Sequence, residues 1–138
     1  MLHISNATIA RTQYAGMKYT RQIIACGKKL NDSGLYGKVT TPAADSAVER
    51  TLSFNDSTRR NGYMLGYAQL EKLSLQQELI DLLYETLGKS SNCPILTNGY
   101  WWSSCQNSIG LAVALRDGSF YPHYKNFDPK ILIAYDLP

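Results

Sequence analysis

The chain has 138 residues, is 44% hydrophobic and carries a formal net charge of +3. This length predicts one domain over residues 1–138 that buries about 68% of its unfolded surface, so an ordinary apolar core suffices without disulfides or a structural metal. The 14 basic and 11 acidic residues are spread along the chain. That spread argues against nucleic-acid binding and indicates a mildly basic surface.

The N-terminal residues 1–5 show no basic start followed by an apolar run, and no stretch of the sequence is long and apolar enough to cross a membrane. We therefore expect synthesis in the cytoplasm without a signal peptide, and no membrane insertion. Work outside the cell would then need another route, and assembly into a phage particle is one.

The three cysteines are Cys26, Cys93 and Cys105. An odd number cannot all pair within one chain, and their spacing fits no zinc motif. Reduced, unreactive thiols are the main expectation, and a Cys93–Cys105 bridge is the alternative.

The first half of the chain predicts one strand and two helices. β-branched residues over 7–12 indicate a strand, and Gly16 ends it. Residues 20–30 have the spacing of a helix, residues 31–42 are rich in turn formers, and Pro42 suits the first turn of a second helix over 43–52.

Two polar stretches, 55–57 and 59–62, predict a further loop. The pair Arg59-Arg60 in it is interpreted as solvated, with an anion contact as the alternative.

Two more helices follow. Residues 66–73 form a short one, and Ser74 with Gln77 has the pattern of a capping box that starts a helix over 75–87. Gly88 is a natural helix stop. Leucines recur at helical spacing and predict a face turned to the core, with a seam against a partner helix as the alternative. They are Leu75, Leu79, Leu82, Leu83 and Leu87.

The last third of the chain predicts a sheet. A turn-rich connector over 90–99 leads into a first strand at Tyr100, and Asp117-Gly118 separates two strand-like runs as a type I′ hairpin turn. An apolar run over 130–137 predicts a closing strand. Strand, helices and then strands indicate an α+β domain with two to three helices packed on one side of a small antiparallel sheet.

Trp101 and Trp102 are neighbours on the first of these strands. Consecutive strand residues point to opposite faces, so we expect one of the two, but not both, in the core. The other is then exposed or covered by a loop, and an exposed tryptophan would be a candidate ligand platform.

Several motifs occur in a recognisable order: Gly62-Tyr63-Met64-Leu65 before a short helix, a helix that ends at Gly88, Trp102-Ser103-Ser104, and the Asp117-Gly118 hairpin. Together they resemble the C-type-lectin-like major paralogous domain, which is related to the formylglycine-generating-enzyme fold and to the variable proteins of diversity-generating retroelements. The resemblance covers about residues 16–137.

This sequence departs from the family pattern at several points. Pro-Ser is missing after Leu65, Gly110-Leu111 stands where the family has Ala-Trp, and 131–134 replaces Val-Arg-Pro-Val, while Lys125 matches the family lysine. The resemblance implies a C-type-lectin-like fold that binds protein or glycan through its sheet end. The calcium motifs of sugar-binding lectins and the paired cysteines of the copper-dependent branch do not occur, so we expect no metal and no cofactor.

Catalysis has little support in the sequence. The two histidines are His3 and His123, and a Ser-His-Asp site needs a histidine beside both a nucleophile and a carboxylate. His123 with Asp128 is the one hydrolase candidate. We interpret His123 as a recognition residue and expect no enzyme.

The stretch 119–128 combines aromatic rings with polar groups, a composition typical of binding surfaces. The hairpin register turns Tyr121 and His123 outward and Phe120 toward Val113 or Leu115 in the core. In the variable proteins the matching positions are the diversified ones. The predicted ligand-binding residues are Gln106, Asn107, Tyr121, His123, Tyr124, Asn126 and Phe127. The alternative is that Phe120, and with it Phe127, is core and that the tyrosines only line the rim of that core.

These observations predict a non-enzymatic module that recognises a protein or glycan, as a phage virion or tail-fibre receptor-binding component. The alternative is a structural virion or assembly protein that uses the same surface to hold other virion subunits. A homo-oligomer is compatible with both.

Overall fold

The computed structural model describes residues 4–53, 58–108 and 110–137. Within these ranges the chain is an α+β protein, which confirms the predicted class. The helices are α1 (Ala7–Ala10), α2 (Gly16–Ser33), α3 (Pro42–Glu49), α4 (Tyr67–Ser74) and α5 (Gln77–Thr86), with a 3-10 turn at Ser90–Asn92. The strands are β1 (Thr51–Ser53), β2 (Arg59–Asn61), β3 (Tyr63–Met64), β4 (Tyr100–Gln106), β5 (Leu111–Arg116), β6 (Ser119–Tyr124), β7 (Lys130–Ile131) and β8 (Ile133–Ala134).

The main sheet has the strand order β6-β5-β4-β7. β4, β5 and β6 are antiparallel, whereas β7 runs parallel to β4. The closing apolar run therefore forms two short strands rather than one. β7 belongs to the main sheet, whereas β8 pairs with β3 in a separate two-stranded sheet.

The hairpin between β5 and β6 is confirmed. Asp117 and Gly118 have φ values of 48° and 81°, and a type I′ turn requires positive φ at both positions. Asp117 also accepts a hydrogen bond on Oδ1 from the Gly99 amide at 2.7 Å, which ties the turn to the start of β4.

The sheet is covered on both faces, so the expectation of helices on one side is wrong. α4 contributes Tyr67 and Leu70 to a core with Trp101, Val113 and Leu115 on one face. α2 and α3 cover part of the other face, and the buried residues there are Ala44, Ala47, Met64, Trp102 and Ala114. Alternating β4 side chains are thus buried on either side.

Both tryptophans are consequently buried. Trp101 is 6% exposed and Trp102 is 8% exposed, so the expectation that one of them, but not both, lies in the core is wrong. Phe120 packs against the Trp101 core and pairs in register with Leu115, as predicted.

The predicted strand over residues 7–12 is wrong, since residues Ala7–Ala10 form α1. The Asn6 side chain accepts a hydrogen bond from the Ile9 amide at 3.0 Å. A capping bond of this kind stabilises a helical turn by about 1 kcal/mol, which outweighs the weak strand preference of Thr8 and Ile9.

The next two predicted helices exist with different limits. α2 is longer than residues 20–30 and ends where Gly34 takes a left-handed φ of 67°. α3 begins at Pro42 as expected but ends at Glu49, because Leu52 pairs with Arg60 between β1 and β2. Arg59–Asn61 is therefore a strand and not a solvated loop, and the predicted loop over 55–57 lies outside the described residues.

The capping box at Ser74 is wrong. Ser74 is the last residue of α4, and its Oγ donates to the Glu71 carbonyl at 2.7 Å. Gln77 begins α5 and holds the connector instead, since its Oε1 accepts a hydrogen bond from the Leu96 amide at 2.7 Å. Gly88 does stop the helix, with a φ of 68°.

The leucine face of α5 is not part of the core. Leu79, Leu82 and Leu83 are between 54% and 61% exposed, and no residue of α5 is fully buried. The expectation of a core-facing stripe is therefore wrong.

All three cysteines are free. Burial raises the pKa of the Cys105 thiol. Cys93 Sγ lies 3.3 Å from Asp81 Oδ1, and the pKa of its thiol is raised by desolvation and by this hydrogen bond. The alternative Cys93–Cys105 bridge is not formed. Across the described ranges, no helix is both long and apolar enough to cross a membrane.

Candidate recognition surface

Aromatic side chains from two strands meet across a central strand of small residues. The register aligns Trp102 with Ala114 and Tyr121, and Ala112 with His123. β4 and β6 lie roughly 10 Å apart with β5 between them. Because β5 presents only alanine methyl groups at these positions, rings from β4 and β6 can close over it.

The rings are in contact. The Tyr100 ring centroid lies 4.7 Å from that of His123 and 5.8 Å from that of Tyr121. The Tyr121 and His123 rings meet edge to face at 5.6 Å, and Trp102 reaches His123 at 5.8 Å from its buried position below. Edge-to-face and tilted pairs of this kind are favourable beyond their buried area.

Arg116 adds a cation to the tyrosine end of the cluster. Its guanidinium carbon lies 4.8 Å from the Tyr121 ring centroid and 5.4 Å from that of Tyr100. The arginine side chain is 45% exposed, so it contacts both rings while remaining open to a ligand.

The turn after β6 adds two more rings. Phe127 stacks on His123 with centroids 4.6 Å apart, and Tyr124 lies 6.3 Å from Phe127. Tyr124 is 62% exposed and Phe127 is 57% exposed. The aromatic surface consists of Tyr100, Arg116, Tyr121, His123, Tyr124 and Phe127.

His123 has a fixed ring orientation. Its Nδ1 accepts a hydrogen bond from the Tyr124 amide at 3.0 Å. In a Ser-His-Asp site the same nitrogen donates to a carboxylate. The ring is thus held as a stacking partner, in an arrangement unlike that of the hydrolase candidate with Asp128.

A groove of about 550 Å³ adjoins the aromatic surface, between α2, residues 39–44 and the turn over 125–131. Its lining is mainly apolar and includes Ile23, Trp102 and Ile131, and it shares Phe127 with the aromatic surface. Grooves of this size and composition are typical of ligand sites.

Lys125 brings a cation to the lining of this groove, and Asp128 brings a carboxylate. Its Nζ donates to Gln106 Oε1 at 2.8 Å, and partial desolvation lowers the pKa of Lys125 from its usual 10.5, with Cys26 acting in the opposite direction. Lys125 is exposed as a whole residue and lines the groove at the same time. A charged donor in partly apolar surroundings suits an anionic or carbonyl group of a ligand.

The seven predicted binding residues do not all come together. Tyr121, His123, Tyr124 and Phe127 come together in the aromatic surface. Gln106 joins the groove through Lys125, and Asn126 is exposed in the turn.

Asn107 has a different place, because its Nδ2 donates to the Ile4 carbonyl at 2.6 Å. Its amide holds the N-terminal segment against the end of β4. The proposed recognition surface therefore leaves Asn107 out.

Two contributors were missed from the sequence: Tyr100 and Arg116. The cross-strand register was the signal for both, since Tyr100 pairs with Arg116 and shares a face with Trp102. Within the described ranges, no three His, Cys, Asp or Glu side chains gather as a metal site.

No family model, curated protein or solved structure matches the chain.

Proposed function

We propose that this chain is a non-enzymatic recognition module that binds a protein or glycan through the aromatic surface. The observation that carries the proposal is the partly exposed cluster of Tyr100, Tyr121, His123 and Phe127 with the Arg116 guanidinium against its tyrosines. Aromatic residues and arginine are the residue types most enriched in binding surfaces, because they offer a large contact area at a low cost in conformational entropy.

The groove supports the same proposal. It starts at Phe127 and has a mainly apolar lining, in which Lys125 and Gln106 form a hydrogen-bonded pair. A ligand that stacks on the exposed rings can therefore extend a second group into the groove. An extended chain, either a peptide segment or an oligosaccharide, fits such a pair of neighbouring sites.

A C-type-lectin-like fold is part of the proposal. It is supported by the resemblance of the motifs and by the position of the aromatic surface along one face of the β5-β6 hairpin and in the turn that follows it. The setting we propose is the surface of a phage virion or tail fibre, where the module would meet its receptor. A structural virion or assembly role is the second candidate, in which the same aromatic surface seats a neighbouring subunit.

The test is the double variant Tyr121→Ala/Tyr124→Ala in the full chain. We expect at least tenfold weaker binding on a glycan array and to intact host cells, because each truncated aromatic contact in a binding surface costs about 1 kcal/mol or more. The matched control is Tyr36→Ala, which removes a tyrosine that is 66% exposed and lies outside the aromatic surface.

Two results would sink the proposal. An unfolded double variant would mean that the tyrosines are core residues, and unchanged binding by a folded one would mean that the ligand lies elsewhere. If wild-type protein binds a virion subunit but no glycan or cell, and the double variant loses that binding, the assembly role replaces receptor recognition.

A further inference from the structure

One side of α5 contacts the connector after it and the Trp101 core, and these contacts fix the orientation of the helix. Gln77 bonds to both Leu96 and Pro94, with distances of 2.7 Å and 2.9 Å. Asp81 accepts from the Cys93 thiol, and Ile80 packs partly buried against the Trp101 core. These three residues are spaced as one helical stripe, so the opposite side of α5 points away from the protein.

That opposite side is a row of leucines. The leucine face comprises Leu75 just before α5, Leu79, Leu82 and Leu83 within it, and Leu87 at its end, with exposures of 74%, 61%, 57%, 54% and 60%. Single exposed leucines are ordinary, but a contiguous apolar patch on a monomer marks an interaction site. Because α5 has no fully buried residue, its leucine face adds little buried apolar area within the described residues.

We propose that the leucine face is a two-fold interface between two copies of this chain. At the exposures given, the five leucines present roughly 550 Å² per copy, or roughly 1,100 Å² for two copies, close to the lower limit of about 1,200 Å² for specific interfaces. Side chains beside the leucines raise this area. A two-fold axis lets the same patch cover itself, and the row of Leu79, Leu83 and Leu87 can interdigitate with its copy as ridges into grooves.

The charges of α5 argue against a lipid surface as the occupant. The helix carries Glu78, Asp81 and Glu85 and contains no lysine or arginine. Helices that lie on membranes have lysine and arginine on their polar face, since cell membranes expose anionic lipids.

The same charges set the salt dependence of the dimer. Glu78 and Glu85 lie seven residues apart, hence on one flank of the leucine face. An antiparallel two-fold pairing places this flank of both copies along the same side of the seam, where the carboxylates repel. Salt screens that repulsion, so raising NaCl from about 0.05 M to about 0.5 M should tighten the dimer several-fold.

The experiment is light scattering and sedimentation of the full chain up to about 100 μM, which detects a dimer whose Kd is at or below about 100 μM. We expect wild type at twice the chain mass of 15.4 kDa, and Leu79→Glu/Leu83→Glu at the single mass. Glutamate is a good helix former, so circular dichroism should show unchanged helicity. Leu35→Glu is the matched control, since Leu35 is 79% exposed and lies outside the leucine face.

Three results would overturn the inference. The wild-type protein could remain a monomer at every concentration, and the leucine face would then bind a basic helix or another partner instead of a second copy. The double variant could stay dimeric with its helicity retained, or Leu35→Glu could dissociate the dimer equally. A dimer that weakens with salt would contradict the antiparallel arrangement.

This inference goes beyond the proposed function and fails separately from it. The leucine face and the aromatic surface share no residue, so the Leu79→Glu/Leu83→Glu variant should keep the ligand affinity of a single site. Only avidity for a multivalent ligand should fall.

Discussion

Trp101→Ala and Trp102→Ala should each destabilise the protein by about 3–5 kcal/mol, although the two tryptophans are neighbours in sequence. The reason is that β4 is covered on both faces, so each indole fills its own core. Trp101 belongs at the upper end of this range, because its Nε1 also donates to the carbonyls of Ile95 and Asn98 at 3.2 Å and 3.1 Å. Trp102 belongs at the lower end, since it borders the groove and water can enter the space it leaves.

The assay is urea unfolding followed by far-ultraviolet circular dichroism. Fluorescence is unsuitable because each variant removes one of only two tryptophans. A loss of 3–5 kcal/mol is a large part of the roughly 5–15 kcal/mol that stabilises a domain, and corresponds to a fall in Tm of roughly 10–20 °C. Trp101→Phe is the control for packing, since it keeps a ring but no donor and should cost about 1–2 kcal/mol.

The two-sided core is refuted if either alanine variant unfolds at the wild-type urea midpoint with an unchanged slope. An unchanged slope matters because it shows that the variant and wild type expose the same surface on unfolding. A midpoint unchanged for Trp102 would mean that α2 and α3 do not cover that face. An unchanged midpoint for Trp101→Ala would mean that α4 does not cover the opposite face of the sheet.

Two further predictions concern pH and metal. Burial, together with the hydrogen bond to Glu71, raises the pKa of Tyr67 well above its usual value of 10. Above pH 10 the unfolded chain therefore loses a proton that Tyr67 keeps in the folded protein. The free energy of unfolding should consequently fall as the pH rises above 10. Unfolding by urea between pH 8 and 11 should show a shallower fall for Tyr67→Phe than for wild type or the Tyr36→Phe control, and equal falls would contradict this cause. Chelator and added calcium should both leave Tm and ligand binding unchanged, because the sequence lacks the calcium motifs of lectins; a calcium-dependent rise in Tm would show otherwise.

Short-range sequence was enough for several elements. The Asp117-Gly118 turn, the C-terminal limit of α5 at Gly88 and the central part of α2 all depend on contacts within a few residues. Backbone geometry at such positions allows few residue types, so the residues present report the structure directly. The hairpin register also predicted correctly that the Phe120 side chain points toward the core.

The site was predicted in part for a related reason. Tyr121, His123, Tyr124 and Phe127 lie within seven residues, so one strand and one turn bring them together. Tyr100 joins them through the pairing of β4 with β5, and Arg116 joins them from the end of β5 through the hairpin. Asn107 is held by the carbonyl of Ile4, which is 103 positions away and gives no local signal.

Periodicity alone therefore determines which side of an element is apolar, and in this chain it identified the leucine row and the opposed tryptophans correctly. Whether another element lies against that side depends on contacts between residues far apart in sequence. The tertiary structure covers both faces of β4, so Trp101 and Trp102 are buried together. It covers nothing on the outer side of α5 among the described residues, because Gln77 and Asp81 turn the polar stripe of that helix toward the connector and leave the leucines outside.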